Sequence, residues 1–179
     1  MAEVPIIVPV KDEEDGLQYL LDDFQREELS ENYDIRFIFV IDVRTSDSSR
    51  EIASKFSDLI INQDKTTGKG AAINQAVNLW KADPTRMVIF LDADGSYSFK
   101  SVAKILRTLE KGADVVSGSR FLYNHNRPEG MSRLHNFGNK TLSKISSLRN
   151  KRKISDLCTG LWGFRMEALL HLEIKSRGF

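Results

Sequence analysis

The chain has 179 residues, of which 41% are hydrophobic and 28% are charged, as expected for one soluble globular domain. The formal net charge is +1, so no global field attracts nucleic acid or an anionic membrane, and any attraction to phosphate must be local. The single cysteine, Cys158, excludes an internal disulfide framework, and no apolar run reaches the roughly 18 residues that span a bilayer. Because the N-terminus also lacks a signal-peptide pattern, we predict a cytoplasmic protein or the cytoplasmic part of a larger one.

Strand and helix patterns alternate along the first 119 residues. The apolar runs predict strands at 4–10, 36–41, 59–61, 87–91 and 114–117. Between them, apolar residues at helical spacing predict helices, the first of which carries Leu17, Leu20, Leu21 and Phe24. A short helix is expected from about Asp47, with Ser46 or Asp47 as its N-cap. Repeated β-α units with apolar strands predict a three-layer α/β domain with a parallel sheet.

The pattern loosens after residue 119. A loop at 121–131 leads into a polar helix near 133–150, and a strand-like piece follows at 161–164. With no internal repeat or low-complexity linker, the chain is predicted to be a single domain covering residues 1–179. In an open α/β sheet, ligands bind beyond the carboxyl ends of the strands, so the polar residues that directly follow strands are the candidates for a site.

Two aspartates, Asp92 and Asp94, stand two residues apart where the apolar run 87–91 ends. Two nearby anions repel each other unless a cation joins them. Mg²⁺ and Mn²⁺ take oxygen ligands and often keep only one or two protein carboxylates plus substrate phosphates. The pair therefore predicts a divalent metal held against a diphosphate. A solvated Asp-Gly turn, with Asp92 capping the next helix, is the alternative.

Three other motifs could involve this acidic turn or the glycine-rich segment around Lys69. An EF-hand that starts at Asp92 fails because Tyr97 and Ala103 replace the required glycine and glutamate. A P-loop that ends at Lys69 fails because Gln63 and Gly70 are at the required glycine and hydroxyl positions. A haloacid-dehalogenase-like phosphatase, with Asp92 as nucleophile and Asp94 as general acid, remains an alternative. That fold begins with the acidic turn, whereas three strands precede it here.

Taken together, the motifs resemble glycosyltransferase family 2, and within it the dolichyl-phosphate (polyprenyl-phosphate) mannosyl- or glucosyltransferases. The segments that carry the likeness occur in the family's order and span most of the chain. They are Val8-Pro9-Val10-Lys11-Asp12-Glu13, Val40-Ile41-Asp42, Gly68-Lys69-Gly70-Ala71-Ala72, Leu91-Asp92-Ala93-Asp94-Gly95-Ser96, Gly118-Ser119-Arg120-Phe121 and Asp156-Leu157-Cys158-Thr159-Gly160-Leu161-Trp162-Gly163-Phe164-Arg165. The resemblance implies a three-layer α/β/α GT-A fold with a mostly parallel sheet. It also implies a nucleotide-sugar-binding half (1–119) and an acceptor-side half (120–179).

The resemblance also implies roles for individual residues. The nucleotide-sugar site would consist of Pro9, Lys11, Glu13, Asp42, Lys69 and the turn Asp92-Ala93-Asp94. Asp92 and Asp94 would be catalytic through a Mg²⁺ or Mn²⁺ ion, with Ser96 as a further metal ligand. Arg120, also assigned to catalysis, and Arg133 would bind phosphate on the acceptor side.

The implied reaction is the inverting transfer of mannose or glucose from a GDP- or UDP-sugar to an acceptor. A sugar hydroxyl must lose a proton, for which Asp156 is the candidate base. A polyprenyl phosphate, with a second pKa near roughly 6, arrives largely ionised and needs cations instead. Because Arg120, Arg127 and Arg133 fall on this side, the lipid phosphate is favoured.

Two departures from the family leave alternatives open. Relatives usually carry a second acidic residue where this chain has Val43, and they usually continue beyond Phe179, so we expect the chain to be trimmed at its C-terminus. A GT-A domain that binds nucleotide-sugar without turnover is therefore a second hypothesis. The basic run Arg149-Asn150-Lys151-Arg152-Lys153 is either a solvated helix end or a peripheral contact at the cytoplasmic face of a membrane.

Overall fold

A computed structural model of the chain describes residues 2–27, 33–57, 59–63, 68–79, 86–122 and 131–172. The strands are β1 (Ala2–Val10), β2 (Tyr33–Ile41), β3 (Ile60–Asn62), β4 (Met87–Phe90), β5 (Val115–Ser117) and β6 (Trp162–Arg165). The helices are α1 (Glu14–Arg26), α2 (Ser49–Ser54), α3 (Lys69–Leu79), α4 (Phe99–Glu110), α5 (Arg133–Asn150) and α6 (Met166–Leu170). The strands form one sheet in the order β3-β2-β1-β4-β6-β5.

The sheet is parallel on one side and mixed on the other. β1 pairs in parallel with β2 and β4, and β2 pairs in parallel with β3. β6 lies antiparallel between β4 and β5. The predicted α/β class with a mostly parallel sheet is confirmed, whereas the insertion of β6 between β4 and β5 has no counterpart in the sequence pattern.

The apolar strands alternate between two cores, one on each face of the sheet. Along β4 and its end, Ile89 and Leu91 pack in the cluster with α1, α2 and α4, whereas Val88 and Phe90 pack in the cluster with α3 and α6. A strand buried on both faces reads as a continuous apolar run, which is why β4 has that pattern. Three layers result.

The predicted element ends are close to those observed, and the differences have local causes. β1 begins at Ala2 because its ladder with β2 starts at the pair Ala2–Tyr33, two residues before the apolar run. α2 begins at Ser49 rather than near Asp47, because the Asp47 carboxylate accepts hydrogen bonds from the backbone N–H groups of Ser49 and Glu14. The short helix α6 has no counterpart among the predicted elements.

α5 differs from the other long helices because the residues that it buries, Asn139 and Ser143, are polar. Ser132 caps it by accepting a hydrogen bond from the His135 N–H (3.1 Å). No helix within the described residues has both the length and the apolar character needed to cross a bilayer. The polar inner face of α5 lies against the site described next.

Candidate active site at the carboxyl ends of the strands

A cavity of about 400 Å³ opens where β1, β2 and β4 end. All eight residues predicted for the nucleotide-sugar site line it: Pro9, Lys11, Glu13, Asp42, Lys69, Asp92, Ala93 and Asp94. We call it the donor cavity, after the role that the sequence predicts for these eight residues. Its lining also includes four residues of the quoted motifs to which no role was assigned, Val10, Val40, Gly68 and Ala72, and one residue outside those motifs, Gln63. Side chains from distant parts of the sequence meet here because parallel strands end at one edge of the sheet.

Asp92 is paired with a lysine inside the donor cavity. The Lys69 ammonium, on the first residue of α3, donates a hydrogen bond to Asp92 Oδ1. Burial raises the pKa of Asp92 above its usual value, and the nearby Lys69 charge partly opposes that rise. Asp92 therefore does not cap α4, whose N-cap is Ser98. The alternative prediction, in which Asp92 caps the next helix, is therefore wrong.

Gly160 forms a wall behind Asp92. The Asp92 backbone N–H donates to the Gly160 carbonyl (3.2 Å), and a methyl group on Gly160 would overlap the Asp92 carboxylate. The Gly160 N–H in turn donates to the Tyr97 hydroxyl (2.9 Å). A segment just before β6 thus shapes the site at the end of β4, and only glycine leaves room for the carboxylate.

Asp94 is exposed to solvent at the mouth of the cavity. Its Oδ1 accepts a hydrogen bond from the Ser96 N–H (2.9 Å), and Gly95 takes a positive φ of 71° to complete the turn. Gly16 of α1 packs directly against this turn. A Cβ atom at Gly16 would lie only 2.6 Å from the Ala93 carbonyl oxygen, so a larger residue would not fit. The turn is therefore supported by the backbone of α1, and the exposed Asp94 side chain is accessible to a ligand.

The carboxylates of this corner suit a hard divalent cation. Burial raises the pKa of Glu13, and the negative charges of Asp94 and Asp92 raise it further, which indicates a negative local potential. Within the described ranges, no three His, Cys, Asp or Glu side chains form a closed metal cluster. Two carboxylates with open positions match the way Mg²⁺ binds between protein and substrate phosphates. The residues fit such an ion, and Ser96 as a ligand remains a prediction.

Asp42 is buried and fully engaged by a residue outside the predicted site. Arg44 donates to Asp42 Oδ1 from its backbone N–H and its Nε (both 2.9 Å), and to Oδ2 from Nη2 (2.7 Å). The Arg44 side chain hydrogen bonds lower the pKa of Asp42 to about 2. The carboxylate at the end of β2 is therefore neutralised by a neighbouring arginine in the structure.

A second cavity, of about 940 Å³, adjoins the first at Asp94. We call it the acceptor-side cavity. Its lining comes from the acidic turn, from Arg120 and from α5: Asp94, Gly95, Ser96, Arg120, Met131, Leu134, His135, Gly138, Asn139, Leu142 and Cys158. The sequence patterns assigned no role to the α5 residues in this set, although the i, i+4, i+8 spacing of Leu134, Gly138 and Leu142 places these three on one helix face.

Arg120 is fixed in the wall of the acceptor-side cavity by a buried carboxylate. It donates to Asp156 Oδ2 from its backbone N–H (3.1 Å) and Nε (2.8 Å), and to Oδ1 from Nη2 (3.0 Å). Asn139 adds a fourth bond to Asp156 Oδ1 (2.7 Å). Burial acts to raise the pKa of Asp156, but the bonds from Arg120 and Asn139 outweigh it and hold that pKa below its usual value.

This arrangement changes the role that the sequence suggested for Asp156. Its side chain is fully buried and already accepts these four hydrogen bonds, so the geometry favours a positioning residue rather than a base. Arg133 is exposed on the first turn of α5 and is not among the residues that line the cavity, so its phosphate role remains a prediction. Arg127 lies outside the described residues.

The fold is an α/β domain in which two cavities meet at an acidic corner that suits a divalent metal. The sequence model that describes the family "Glycosyl transferase family 2" matches residues 6–172 of this chain. The chain therefore belongs to glycosyl transferase family 2. This confirms the predicted family and rules out the phosphatase alternative.

Curated relatives agree with this assignment. The chain is 29% identical over 176 residues to the glycosyltransferase AglJ of Haloferax volcanii, covering 98% of this chain and 54% of that protein. It is 31% identical over 129 residues to a dolichyl-phosphate hexose transferase of the same organism, covering 72% of this chain and 54% of the relative. The chain thus spans about half the length of these relatives.

Solved structures confirm the GT-A fold. Glucosyl-3-phosphoglycerate synthase of Mycobacterium tuberculosis, in complex with UDP, aligns with a TM-score of 0.64 at 13% identity, over 93% of this chain and 57% of that one. The mannosyltransferase PcManGT of Pyrobaculum calidifontis, in complex with GDP-Man and Mn²⁺, aligns with a TM-score of 0.59 at 18% identity, over 96% of this chain and 48% of that one.

Proposed function

We propose that the chain is the catalytic domain of an inverting hexosyltransferase that moves mannose or glucose from a GDP- or UDP-sugar to a polyprenyl phosphate. The observation that carries the proposal is the meeting of two cavities at Asp94. One cavity has the acidic corner that suits a metal-bound diphosphate, and the other has a fixed arginine. A sugar bound between them has its leaving group on one side and its acceptor on the other.

The donor would bind with its nucleoside near β1 and β2 and its diphosphate near Asp94. Mg²⁺ or Mn²⁺ on Asp92 and Asp94 would neutralise charge on the departing diphosphate. Lys69 now contacts Asp92 and is close enough to the same corner to donate a charge-assisted hydrogen bond to a phosphate oxygen. The N-terminus of α3, where Lys69 lies, also favours an anion.

The acceptor side supports a phosphate more than a hydroxyl. Asp94 is the only carboxylate among the described residues that line the acceptor-side cavity, and it is assigned to the metal. The other candidate base, Asp156, is held in four hydrogen bonds. Arg120, by contrast, presents a cation whose pKa the Asp156 hydrogen bonds raise further. An acceptor that is already ionised needs this cation and needs no base.

Calorimetric titration of the chain with GDP and UDP, with and without Mn²⁺, tests the donor half of the proposal. We expect metal-dependent binding of at least one nucleotide, and Asp94→Ala should weaken it by at least about tenfold because a charge-assisted ligand is lost. The matched control is Asp114→Ala, which removes an exposed carboxylate directly before β5, away from the carboxyl ends of the strands. Equal binding by Asp94→Ala and the unchanged chain would refute the site.

Transfer of radiolabelled hexose to a short polyprenyl phosphate, compared with a sugar acceptor, tests the acceptor half. We expect product only with the phosphate, with loss of product for Arg120→Ala. Product with the sugar acceptor alone would overturn the choice of acceptor. Metal-dependent nucleotide binding without transfer to either acceptor would instead favour the non-catalytic binding domain.

A further inference from the structure

The outer side of α5 is apolar and exposed. Its large side chains retain much of their accessible surface: Leu134 76%, Phe137 70%, Leu142 49%, Ile145 56% and Leu148 73%. We call these five residues the α5 face. At about 100° per residue they fall within one stripe of the helix, so they present a continuous apolar strip rather than scattered side chains.

The inner side of the same helix is polar, which explains why the apolar side faces outward. Asn139 bonds to Asp156, and the Ser143 hydroxyl donates to Asn139 Oδ1 (3.3 Å) and accepts from the Leu157 N–H (2.9 Å). The Ser147 hydroxyl accepts from the Ile154 N–H (2.8 Å). These bonds fix the rotation of the helix about its axis, so the α5 face cannot turn inward without breaking the network that holds Arg120.

The segment that contains α5 is also strongly basic. Residues 131–155 carry seven of the 26 Lys and Arg residues and none of the 25 Asp and Glu residues. All seven are exposed: Arg133, Lys140, Lys144, Arg149, Lys151, Arg152 and Lys153. Since the whole chain has a net charge of only +1, the positive charge is concentrated where the exposed apolar strip is.

We propose that residues 131–155 form a membrane-docking surface, in which the α5 face enters the interface of a bilayer that contains anionic lipids. An amphipathic helix with basic flanks and exposed leucine and phenylalanine side chains lies in the plane of such an interface. The basic side chains extend along the apolar strip and place their charges at the level of the headgroups. Anionic lipids supply the negative charge that this segment lacks.

Charge decides between a bilayer and a second copy of the chain as the occupant. An isologous contact through the α5 face would bring two segments with seven positive charges each together, with no acidic residue in either segment to pair with them. A bilayer with anionic headgroups covers the same apolar strip and attracts those charges. The bilayer is therefore the occupant that satisfies both features.

Docking in this way orients the active site. Leu134 and Leu142 belong to the α5 face and also line the acceptor-side cavity, so that cavity opens beside the surface that meets the lipid. This orientation rests on the proposed function, in which the acceptor is a polyprenyl phosphate. The docking surface itself does not depend on that proposal, because it follows from the exposure and charge of α5.

Flotation of the purified chain with vesicles tests the inference. One vesicle type is phosphatidylcholine alone, and the other is an equal mixture of phosphatidylcholine and phosphatidylglycerol. We expect at least about tenfold stronger binding to the mixed vesicles, reduced by added salt because the attraction is screened. Failure to bind mixed vesicles at low salt would overturn the inference.

Two pairs of variants locate the contact. Phe137→Ser with Ile145→Ser should reduce binding to mixed vesicles at least about tenfold, because the inserted apolar area is lost. Leu59→Ser with Val115→Ser, at two exposed apolar residues elsewhere, should bind like the unchanged chain. Lys151→Glu with Lys153→Glu should weaken binding, whereas Lys55→Glu with Lys111→Glu should weaken it less. Equal binding by test and control variants would refute the role of α5.

Two further measurements separate the possible outcomes. Thermal unfolding and titration with nucleotide and Mn²⁺ should be unchanged by Phe137→Ser with Ile145→Ser, since both side chains are exposed and neither lines a cavity. Loss of vesicle binding with intact nucleotide binding supports the docking surface, and intact vesicle binding without nucleotide binding would refute only the proposed function. A dimer in light scattering that this variant dissociates, without vesicle binding, would assign the α5 face to self-association.

Discussion

The donor cavity and the α5 region distribute polar and apolar side chains in opposite ways. Around the donor cavity, apolar residues fill both faces of the sheet, and the carboxylates emerge beyond the ends of β1, β2 and β4. In α5, Asn139 and Ser143 are buried while Phe137 and Leu148 are exposed. A strand end can present carboxylates to a ligand without burying them in the apolar core. Arg120, by contrast, is held by a buried polar network, and this network places the apolar side of α5 toward solvent.

The largest expected effect tests whether that buried network stabilises the fold. Asp156→Asn removes the charge that pairs with Arg120, whose side chain is only 16% exposed. Loss of one partner of a buried pair leaves the other uncompensated, so the free energy of unfolding should fall by about 3 kcal/mol. Asp114→Asn, at an exposed carboxylate, should change it by less than about 0.5 kcal/mol. Urea unfolding of both variants measures the difference, and equal midpoints would contradict the comparison.

The next prediction concerns the wall behind Asp92. Gly160→Ala would place a methyl group on the Asp92 carboxylate and displace it. Because a displacement of roughly 1 Å can cost about 100-fold in a positioned site, metal-dependent nucleotide affinity or transfer should fall by about that factor.

Gly138→Ala supplies a matched stability control, since no atom lies within 4 Å of the added methyl group. Because alanine is a better helix former than glycine, Gly138→Ala within α5 should raise the free energy of unfolding by about 0.5–1 kcal/mol. Unchanged nucleotide binding by Gly160→Ala would show that the position of Asp92 does not matter for the donor.

A smaller effect should appear in the pH dependence of stability. Arg44 lowers the pKa of Asp42 from 3.8 to about 2, so the pair stabilises the folded state above pH 3.8. This contribution is lost as the pH falls from 3.8 through about 2, because the carboxyl then binds a proton. Its upper limit is about 2 kcal/mol, and the 52% exposure of Arg44 reduces it toward about 1 kcal/mol.

Comparison of the unchanged chain with Arg44→Ala isolates this pair. Denaturant unfolding at a series of pH values should show a stability difference that is constant near neutral pH and shrinks below pH 4 toward about pH 2. A difference that persists unchanged through this range would assign the effect of Arg44 to packing rather than to the Asp42 charge.

The smallest expected effect separates the two kinds of acceptor. His135 lines the acceptor-side cavity, and histidine is the side chain that most often acts as a general base. If the acceptor is a lipid phosphate, His135→Ala should change the transfer rate by less than about threefold, whereas loss of a general base typically costs about 100- to 10,000-fold. Initial rates with saturating donor measure this, and a large loss would favour a hydroxyl acceptor.

The strands that border the donor cavity, and the carboxylates that follow them, could be predicted from the sequence because both signals are local. An apolar run followed at once by Asp92, or by Asp42, specifies both the strand and the polar residue at its end. The element order was therefore recovered, and all eight predicted donor residues line one cavity.

The pairings within the site depend on contacts between distant residues, which no local pattern records. Arg120 and Asp156 are separated by 36 positions, and Lys69 and Asp92 by 23. The repeated β-α pattern did not predict where β6 lies in the sheet. A short strand that pairs antiparallel between two others has the same local sequence pattern as a strand at the edge of a sheet. The outward apolar side of α5 follows from the Asn139 network and not from periodicity.

The position of β6 has a consequence for how the chain is made. During synthesis β4 and β5 emerge from the ribosome well before Trp162–Arg165, yet the sheet joins them only through that strand. Until then, each of the two earlier strands has an open backbone edge that can pair with another chain. A nascent chain that stalls before residue 162 would therefore leave the edges of β4 and β5 open to pairing with other chains.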